Sequence, residues 1–241
     1  MAEREQATGR VAWSEFGAAV DEWFARLPER GWSELAPRGG QRVAVCVVDM
    51  LNGFAREGPL ASPRVEALVP PVLHLVENAA ARGARIVAVQ DCHPRGAVEF
   101  GAYPPHCLEG TSEAEAVEEL LSLPAYREAR LVRKNNLCGL WAGDWYRDLV
   151  AEGVDTFVIC GDCTDLCVNY LAMPLRLWAN ERNLPLRVVV PAEAVDTFDI
   201  PARAASTEEP AAPGHPGELF HRLFLYHMAQ NGVEVVRRVT F

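Results

Sequence analysis

The 241-residue sequence lacks two features that would point to common protein classes, an excess of positive charge and a long apolar run, and we expect it to carry no secretory leader. Its 23 basic residues are outnumbered by 33 acidic ones, and the net charge of −10 disfavours nucleic-acid binding. No apolar run is long enough to span a bilayer, and residues 1–12 are polar and of mixed charge. We therefore expect a cytoplasmic protein that binds neither nucleic acid nor membrane.

The sequence also lacks the even number of cysteines that a disulfide framework would need. Its seven cysteines are scattered through a mid-sized chain and, in the cytoplasm, are expected to be reduced. An apolar content of 49% is enough for one sizeable core. The composition therefore predicts one main domain with free thiols.

Short apolar runs alternate with helical segments along most of the chain. The predicted strands are Val43–Val48, Arg85–Gln90, Ala129–Arg133, Thr156–Cys160, Leu186–Val190 and Val233–Arg237. The predicted helices are Val65–Arg82, Ala114–Leu121, Asp144–Glu152, the segment after Cys167, and Gly217–Asn231. Continuous apolar strands joined by helical crossovers favour a parallel sheet with helices on both faces. The pattern predicts a three-layer α/β/α Rossmann-like fold.

Two segments stand outside this alternation. Residues 1–42 precede the first core strand, and their large apolar side chains recur at helical spacing at Trp13, Phe16, Val20, Phe24 and Leu27. We predict a helical extension over residues 1–42, docked on the body or on another subunit, and a catalytic domain over residues 43–241. Residues 197–216, rich in Pro, Ala and Glu, predict a long loop, either a lid or a surface insertion.

Polar residues follow the strands at the points where the strands end. Asp49 follows the first strand, Asp91 and His93 the second, Lys134 the third, and Cys167 the fourth. Ligand sites in open parallel sheets lie beyond the carboxyl ends of the strands. This convergence predicts one site at that edge of the sheet.

Cys167 would begin a helix, and the partial positive charge of a helix N-terminus lowers a thiol pKa and favours a nucleophilic thiolate. Asp49 could take the thiol proton, and Lys134 could stabilise both groups. Backbone N–H groups near Cys163 and Cys167 would form an oxyanion hole. The set predicts amide hydrolysis through a thioester. Taken singly, Asp49 could be a cap, Lys134 a solvated charge and Cys167 a small core residue.

Asp91 and His93 lie two residues apart, so their side chains can reach one ion from an extended segment. A further histidine and a glutamate, such as His106 and Glu99, could complete an N/O site for zinc, iron or manganese. A lone Asp-x-His pair would be more typical of an ordinary polar loop. Cys92 and Cys107 adjoin these residues but should face the other way.

Three stretches, Val47–Phe54, Arg133–Lys134 and Thr164–Val168, resemble the signatures of the isochorismatase-like cysteine hydrolases. The resemblance runs from Gln41 to the C-terminus. It implies a six-stranded parallel sheet and a catalytic triad of Asp49, Lys134 and Cys167. It also implies a cis peptide bond between Asp162 and Cys163, which would aim the Cys163 amide at the oxyanion.

The segment from Asp91 to Cys107 resembles the metal loop of nicotinamidases, a branch of that family. This resemblance implies that Asp91, His93 and His106 hold a divalent metal, preferentially zinc, with Glu99 as a fourth or water-mediated ligand. The metal would bind the pyridine nitrogen of nicotinamide. The predicted pocket walls are Phe54, Tyr103 and Trp141, with core packing as the alternative for Trp141, and Leu137 and Cys138 as further lining residues.

Asp162 and Cys163 depart from the family pattern, which has small apolar residues before the Thr-Asp pair. The leading hypothesis is deamidation of nicotinamide to nicotinate and ammonia by a metal-dependent enzyme. The alternatives are a related amide or carbamoyl hydrolase with another small substrate and, least favoured, a non-catalytic binding module. Family members form dimers or tetramers, so the resemblance also implies a homo-oligomer.

Overall fold

A computed structural model describes residues 13–200 and 214–241. The helices in this part of the chain are α1 (Trp13–Ala25), α2 (Trp32–Leu35), α3 (Asn52–Ala55), α4 (Pro63–Glu66), α5 (Val69–Ala80), α6 (Glu118–Ser122), α7 (Pro124–Arg127), α8 (Trp145–Ala151), α9 (Cys167–Glu181) and α10 (Gly217–Gln230). The strands are β1 (Arg30–Gly31), β2 (Val43–Val48), β3 (Arg85–Asp91), β4 (Arg130–Lys134), β5 (Thr156–Asp162), β6 (Arg187–Pro191), β7 (Val195–Asp196), β8 (Glu234–Val236) and β9 (Val239–Thr240). None of the described helices is both long and apolar enough to cross a membrane.

The main sheet has the strand order β4-β3-β2-β5-β6-β8, and every neighbouring pair is parallel. This confirms the predicted parallel sheet. The two-residue strand β7 pairs with the end of β5 and raises the described strands of this sheet to seven.

Side chains on alternate positions of β2 enter two different cores. Ala44, Cys46 and Val48 pack among residues of α8, α9 and α10. Val43, Val45 and Val47 pack among residues of α4 and α5. All six residues are fully buried, which explains why the strand is continuously apolar. The molecule therefore has the predicted three layers, with the sheet in the middle.

One predicted helix is divided in the structure. The segment predicted as Val65–Arg82 forms α4 and then α5, which carries prolines at its first positions. Pro70 and Pro71 have no N–H group and fit the first turn of a helix, where no intrahelical acceptor is available. In the segment predicted as helical over Ala114–Leu121, regular α-helix begins only at Glu118, after a 3₁₀ turn.

The N-terminal segment docks on the body of the same chain, one of the two predicted alternatives. The rings of Trp23 and Phe16 on α1 pack edge-on against Tyr226 of α10, and Arg222 forms an ion pair with Asp21. Strand β1 pairs with β9 in a separate small sheet. Most of the loop predicted over residues 197–216 lies outside the described residues, as do residues 1–12.

Candidate active site

The structure brings the predicted polar residues together at the carboxyl edge of the sheet. Asp49 directly follows β2, Asp91 ends β3, and Lys134 ends β4. Cys167 is the first residue of α9, after the turn that leaves β5. Because β3, β2 and β5 are adjacent parallel strands, the side chains at these ends converge on one cavity.

Asp49 is fixed by its backbone as well as by its side chain. Its φ of 49° lies in the left-handed region, which aspartate tolerates better than most residues. Its N–H group donates to the Val89 carbonyl at 2.9 Å, and its Oδ1 accepts from the Asp91 N–H group at 2.7 Å. The sharp turn after β2 therefore holds the carboxylate at the sheet edge.

The ammonium group of Lys134 lies close to the other two members of the predicted triad and to Asp91. Its Nζ lies 2.7 Å from Asp49 Oδ2, 2.5 Å from Asp91 Oδ1 and 3.4 Å from Cys167 Sγ. Lys134 is the single lysine of the sequence, and it is buried. One cation thus faces two carboxylates and a thiol inside the protein.

Burial sets the acid–base properties of this group. Burial and the neighbouring Asp91 carboxylate raise the pKa of Asp49 to about 6, although Lys134 opposes the change. Burial also acts to raise the pKa of Asp91, but Lys134 and the neighbouring imidazoles of His106 and His93 outweigh it and lower that pKa. Burial disfavours the charged form of Lys134, but Asp49 and Asp91 together raise its pKa well above the ordinary value. The arrangement keeps Lys134 charged and gives Asp49 the pKa of a competent proton acceptor.

The pKa of Cys167 corrects the prediction made from its place at a helix N-terminus. Burial raises this pKa well above its ordinary value; Lys134 lowers it, and the Asp49 and Asp91 carboxylates oppose Lys134. Cys167 begins α9, but burial of its side chain disfavours the charged thiolate there. The resting state therefore holds a neutral thiol beside a proton acceptor.

The turn between β5 and α9 shapes the predicted oxyanion hole. A cis peptide bond joins Asp162 to Cys163, at the position that the family resemblance implies. The Cys163 carbonyl accepts from the N–H groups of Leu166 and Val168, both at 3.1 Å, and this closes the turn. Cys163 and Cys167 both line the cavity.

Two histidines that were not predicted at the site from the sequence contact residues of this turn. Asp165 Oδ2 lies 2.8 Å from His215 Nε2, and Thr164 Oγ1 lies 2.9 Å from His221 Nδ1. Both histidines are distant from the turn in sequence, so no local pattern could have indicated these contacts.

A second group of side chains is suited to a metal ion. The ligand atoms of Asp91, His93 and His106 lie within 4.8 Å of one another. His93 Nδ1 is held by Asn135 Oδ1 at 2.8 Å, and His106 Nδ1 by the Pro104 carbonyl at 2.8 Å. If each Nδ1 donates in these contacts, each Nε2 keeps its lone pair.

Both Nε2 atoms point towards Asp91, at 3.4 Å for His93 and 3.7 Å for His106. His93 Nε2 is buried and has no hydrogen-bond partner among the described residues. An orphaned imidazole nitrogen beside a carboxylate, with its other nitrogen anchored, is the usual arrangement of a metal-binding histidine. The residues present therefore fit a divalent metal with N/O preference.

Glu99 lies at the cavity but outside that close group. It lines the cavity, and its buried Oε1 has no hydrogen-bond partner in the described part of the chain. Cys92 and Cys107 are not in the close group either, and Cys107 Sγ contacts the Glu113 carbonyl at 3.5 Å.

The cavity encloses about 400 Å³ of empty space, counting its open mouth. Phe54, Tyr103 and Leu137 line it, as the sequence predicted. Trp141 does not: its side chain is 78% exposed, because the turn that contains it buries Gly139 and Leu140 instead. Cys138 packs in the core rather than on the wall of the cavity.

Several lining residues were not assigned to the pocket wall from the sequence. Asp162, Leu60, Leu166 and Phe198 all contribute to the cavity. Asn135, which anchors His93, directly follows Lys134, so its position after β4 was an available signal. Phe198 lies in the segment interpreted only as a loop, and its burial depends on tertiary contacts that the sequence does not display.

The fold and the site together define a class: a parallel α/β protein with a buried Asp49–Lys134–Cys167 group at the carboxyl edge of its sheet and an adjacent metal-type cluster. Residues 43–237 match the family model described as Isochorismatase domain. The chain belongs to the isochorismatase-domain family, and it is an amidohydrolase.

The relatives with established names cover most of the chain. Nicotinamidase 1 of Arabidopsis thaliana is 30% identical over 217 residues, which is 83% of this chain and 87% of the relative. The pyrazinamidase of Pyrococcus horikoshii, solved in complex with zinc, is 26% identical, with a TM-score of 0.63 over 81% of this chain and 99% of the other. The N-carbamoylsarcosine amidase of Thermoplasma acidophilum is 25% identical, with a TM-score of 0.61 over 81% and 96%.

Proposed function

We propose that this protein is a metal-dependent cysteine amidohydrolase that converts nicotinamide to nicotinate and ammonia. The observation that carries the proposal is the position of Lys134, which contacts Asp49, Asp91 and Cys167 at once. Asp91 is shared between this group and the metal-type cluster, so both face one cavity. The likeness to a nicotinamidase and to a zinc-bound pyrazinamidase supports the same substrate class.

The first half of the reaction forms a thioester. The Cys167 sulfur attacks the carboxamide carbon while the thiol proton passes to Asp49, whose pKa of about 6 suits a proton acceptor near neutral pH. The N–H groups of Cys163 and Cys167 stabilise the oxyanion. Asp49 then returns the proton to the amide nitrogen, the carbon–nitrogen bond breaks, and ammonia leaves.

The second half regenerates the thiol. A water molecule gives a proton to Asp49 and attacks the thioester carbon. The carbon–sulfur bond breaks, the carboxylic acid is released, and the Asp49 proton returns to Cys167. Lys134 remains charged throughout, and its contacts with Asp49 and Cys167 hold the base and the nucleophile in register.

Asp91, His93 and His106 would hold the metal, with Glu99 nearby. A bound zinc, iron or manganese ion would orient the substrate ring through its pyridine nitrogen and act as a Lewis acid. Phe54 and Tyr103 provide apolar faces for an aromatic ring on the cavity wall.

The test is ammonia release from nicotinamide by metal-loaded protein, with Cys167→Ala and chelator-treated protein as controls. We expect turnover that is lost in both controls. If metal binds but neither nicotinamide nor pyrazinamide is turned over, the nicotinamide assignment is wrong. The alternative is then a related amide or carbamoyl hydrolase, which the polar side chain of Asp162 on the cavity wall favours.

A further inference from the structure

Asp162 is an acidic side chain that the reaction described above does not use. It is 1% exposed and lines the same cavity as Asp49 and Cys167. Its Oδ2 accepts from the Cys163 thiol at 3.6 Å, while its buried Oδ1 has no hydrogen-bond partner within residues 13–200 and 214–241. A buried oxygen without a partner is costly, so it calls for a ligand group or a displaceable water.

The groups near Asp162 in the described part of the chain leave its Oδ1 without a partner. Lys134, the cation of this site, already contacts Asp49 and Asp91. Burial and the nearby Asp49 carboxylate raise the pKa of Asp162 well above its ordinary value. A carboxyl oxygen can accept a hydrogen bond in either protonation state, so a ligand N–H or O–H group is the matching chemistry.

We infer that Asp162 is a specificity-determining residue, which selects carboxamide substrates carrying a second hydrogen-bond donor that pairs with its unpartnered oxygen. This inference rests on the proposed amidohydrolase function and narrows its substrate class. In nicotinamide the N–H donors are those of the carboxamide at the reacting centre, and the unsubstituted ring itself presents only C–H groups and an acceptor nitrogen, so the ring offers Asp162 no donor. A ring that bears an amino or hydroxyl group at the facing position satisfies it directly.

The experiment compares isosteric ligands that differ only in the donor. The 2-, 5- and 6-amino derivatives of nicotinamide are each paired with the methyl derivative at the same position, since amino and methyl groups are nearly equal in size. Binding to metal-loaded Cys167→Ala protein is measured by calorimetry, so that the result is independent of turnover. We expect the amino compound to bind about 10- to 100-fold more tightly than its methyl counterpart at one or more positions.

The same comparison is then made with Asp162 altered in that background. Asp162→Leu, similar in size but apolar, should abolish the preference, and Asp162→Asn, which keeps an acceptor oxygen, should retain part of it. Asp162→Ala replaces the leucine variant if the latter does not fold. A preference that survives in the apolar variant, or no preference at any position in the parent, overturns the inference.

The experiment distinguishes a failure of the Asp162 inference from a failure of the proposed function. If wild-type protein releases ammonia from nicotinamide but shows no donor preference, the amidohydrolase stands and the role of Asp162 is wrong. If the donor preference is present but no carboxamide is hydrolysed, the binding role stands and the proposed reaction is wrong.

Discussion

Lys134 Nζ lies 2.5 Å from Asp91 Oδ1, and the same carboxylate is the acidic member of the metal-type cluster. A single aspartate therefore couples the cation of the predicted triad to the predicted metal ligands. We therefore expect a substitution in the triad to affect the metal-type cluster, and a substitution in that cluster to affect the triad.

The Lys134 contacts predict that a variant without the positive charge is less stable than a variant that keeps the charge in a different geometry. Lys134→Met leaves the Asp49 and Asp91 carboxylates buried without a counter-charge, and breaking a buried ion pair costs about 3–5 kcal/mol of unfolding free energy. Lys134→Arg keeps the charge and should fold better but remain at least about 100-fold less active, because a planar guanidinium cannot reproduce the point contacts of an ammonium. Urea unfolding and ammonia release measure the two effects. Equal stability of the two variants would contradict the electrostatic account.

The hydrogen bond from Asn135 to His93 predicts an effect on metal affinity. Asn135→Ala frees the His93 ring, and loss of such an outer contact typically weakens metal binding about 10- to 100-fold. Competition with a chromogenic chelator gives the affinity. Asn136→Ala is the matched control, since the Asn136 side chain accepts from the Cys138 N–H group instead. Equal losses in the two variants would argue against the anchoring role.

The raised pKa of Cys167 predicts that its reactivity depends on Asp49. Iodoacetamide should alkylate Cys167 only as fast as Asp49 can accept the thiol proton, so Asp49→Asn should slow this reaction about tenfold or more. Cys92, which is partly exposed and is no part of the predicted triad, is the internal control and should be labelled at the same rate in both proteins. Peptide mass spectrometry measures both rates. A Cys167 rate that is unchanged in Asp49→Asn would remove Asp49 from the role of base.

The contact between His215 and Asp165 predicts a pH dependence of stability. Burial acts to lower the pKa of His215, but the hydrogen bond and charge of Asp165 outweigh it and raise the pKa above 6.5. Because the folded pKa is higher than the unfolded one, the stabilisation is fully present below about pH 6.5 and is lost as the pH rises through the raised value.

The measurement is the difference in unfolding free energy between wild type and His215→Gln, by urea titration at roughly pH 5.5 and pH 8.5, on either side of the ordinary histidine pKa. The difference should be larger at the lower pH. The wild type and the variant must be compared at each pH because His221 also makes the unfolding free energy depend on pH. Burial lowers the pKa of His221, so its contribution has the opposite sign to that of His215. His227→Gln, at an exposed position on α10, controls for removal of an imidazole. A difference that grows with pH would refute the assignment.

Gly161 predicts a large structural effect next to the site. A Cβ added there would lie 1.9 Å from the Val48 carbonyl oxygen, and its φ of 107° is one that other residues rarely adopt. Gly161→Ala should therefore destabilise the protein by about 3 kcal/mol or more, or prevent folding. Gly96→Ala has nothing within 4 Å of the added atom and should be nearly neutral. Thermal unfolding of both variants provides the comparison.

The sheet and the position of the site could be predicted because both follow from local sequence. Strands such as β2 are continuously apolar, and parallel strands place their carboxyl ends at one edge. Asp49, Asp91, Lys134 and Cys167 therefore converge whatever the lengths of the connecting helices. The oligomeric state and the cytoplasmic location remain predictions.

Other features depend on contacts between distant segments. Trp141 was predicted on the pocket wall, with core packing as the alternative, but it is 78% exposed, whereas the nearby Gly139 is buried against Val89. The direction of the Cys167 pKa shift depends on how completely the thiol is buried, which a helix N-terminus alone does not reveal. Asp162 was noted as unusual, yet only the structure shows that it lines the cavity and that its buried Oδ1 has no partner among the described residues.

Because Lys134 is the only lysine of the sequence, one peptide bond of the chain is unique in its response to a lysine-specific protease. A protease that cleaves solely after lysine has a single target, the bond between Lys134 and Asn135, and that bond lies where β4 ends at the active site. In the folded state the Lys134 side chain is shielded by Asp49, Asp91 and Cys167. The rate of this one cut therefore reports how often the active site opens, without any label or substrate.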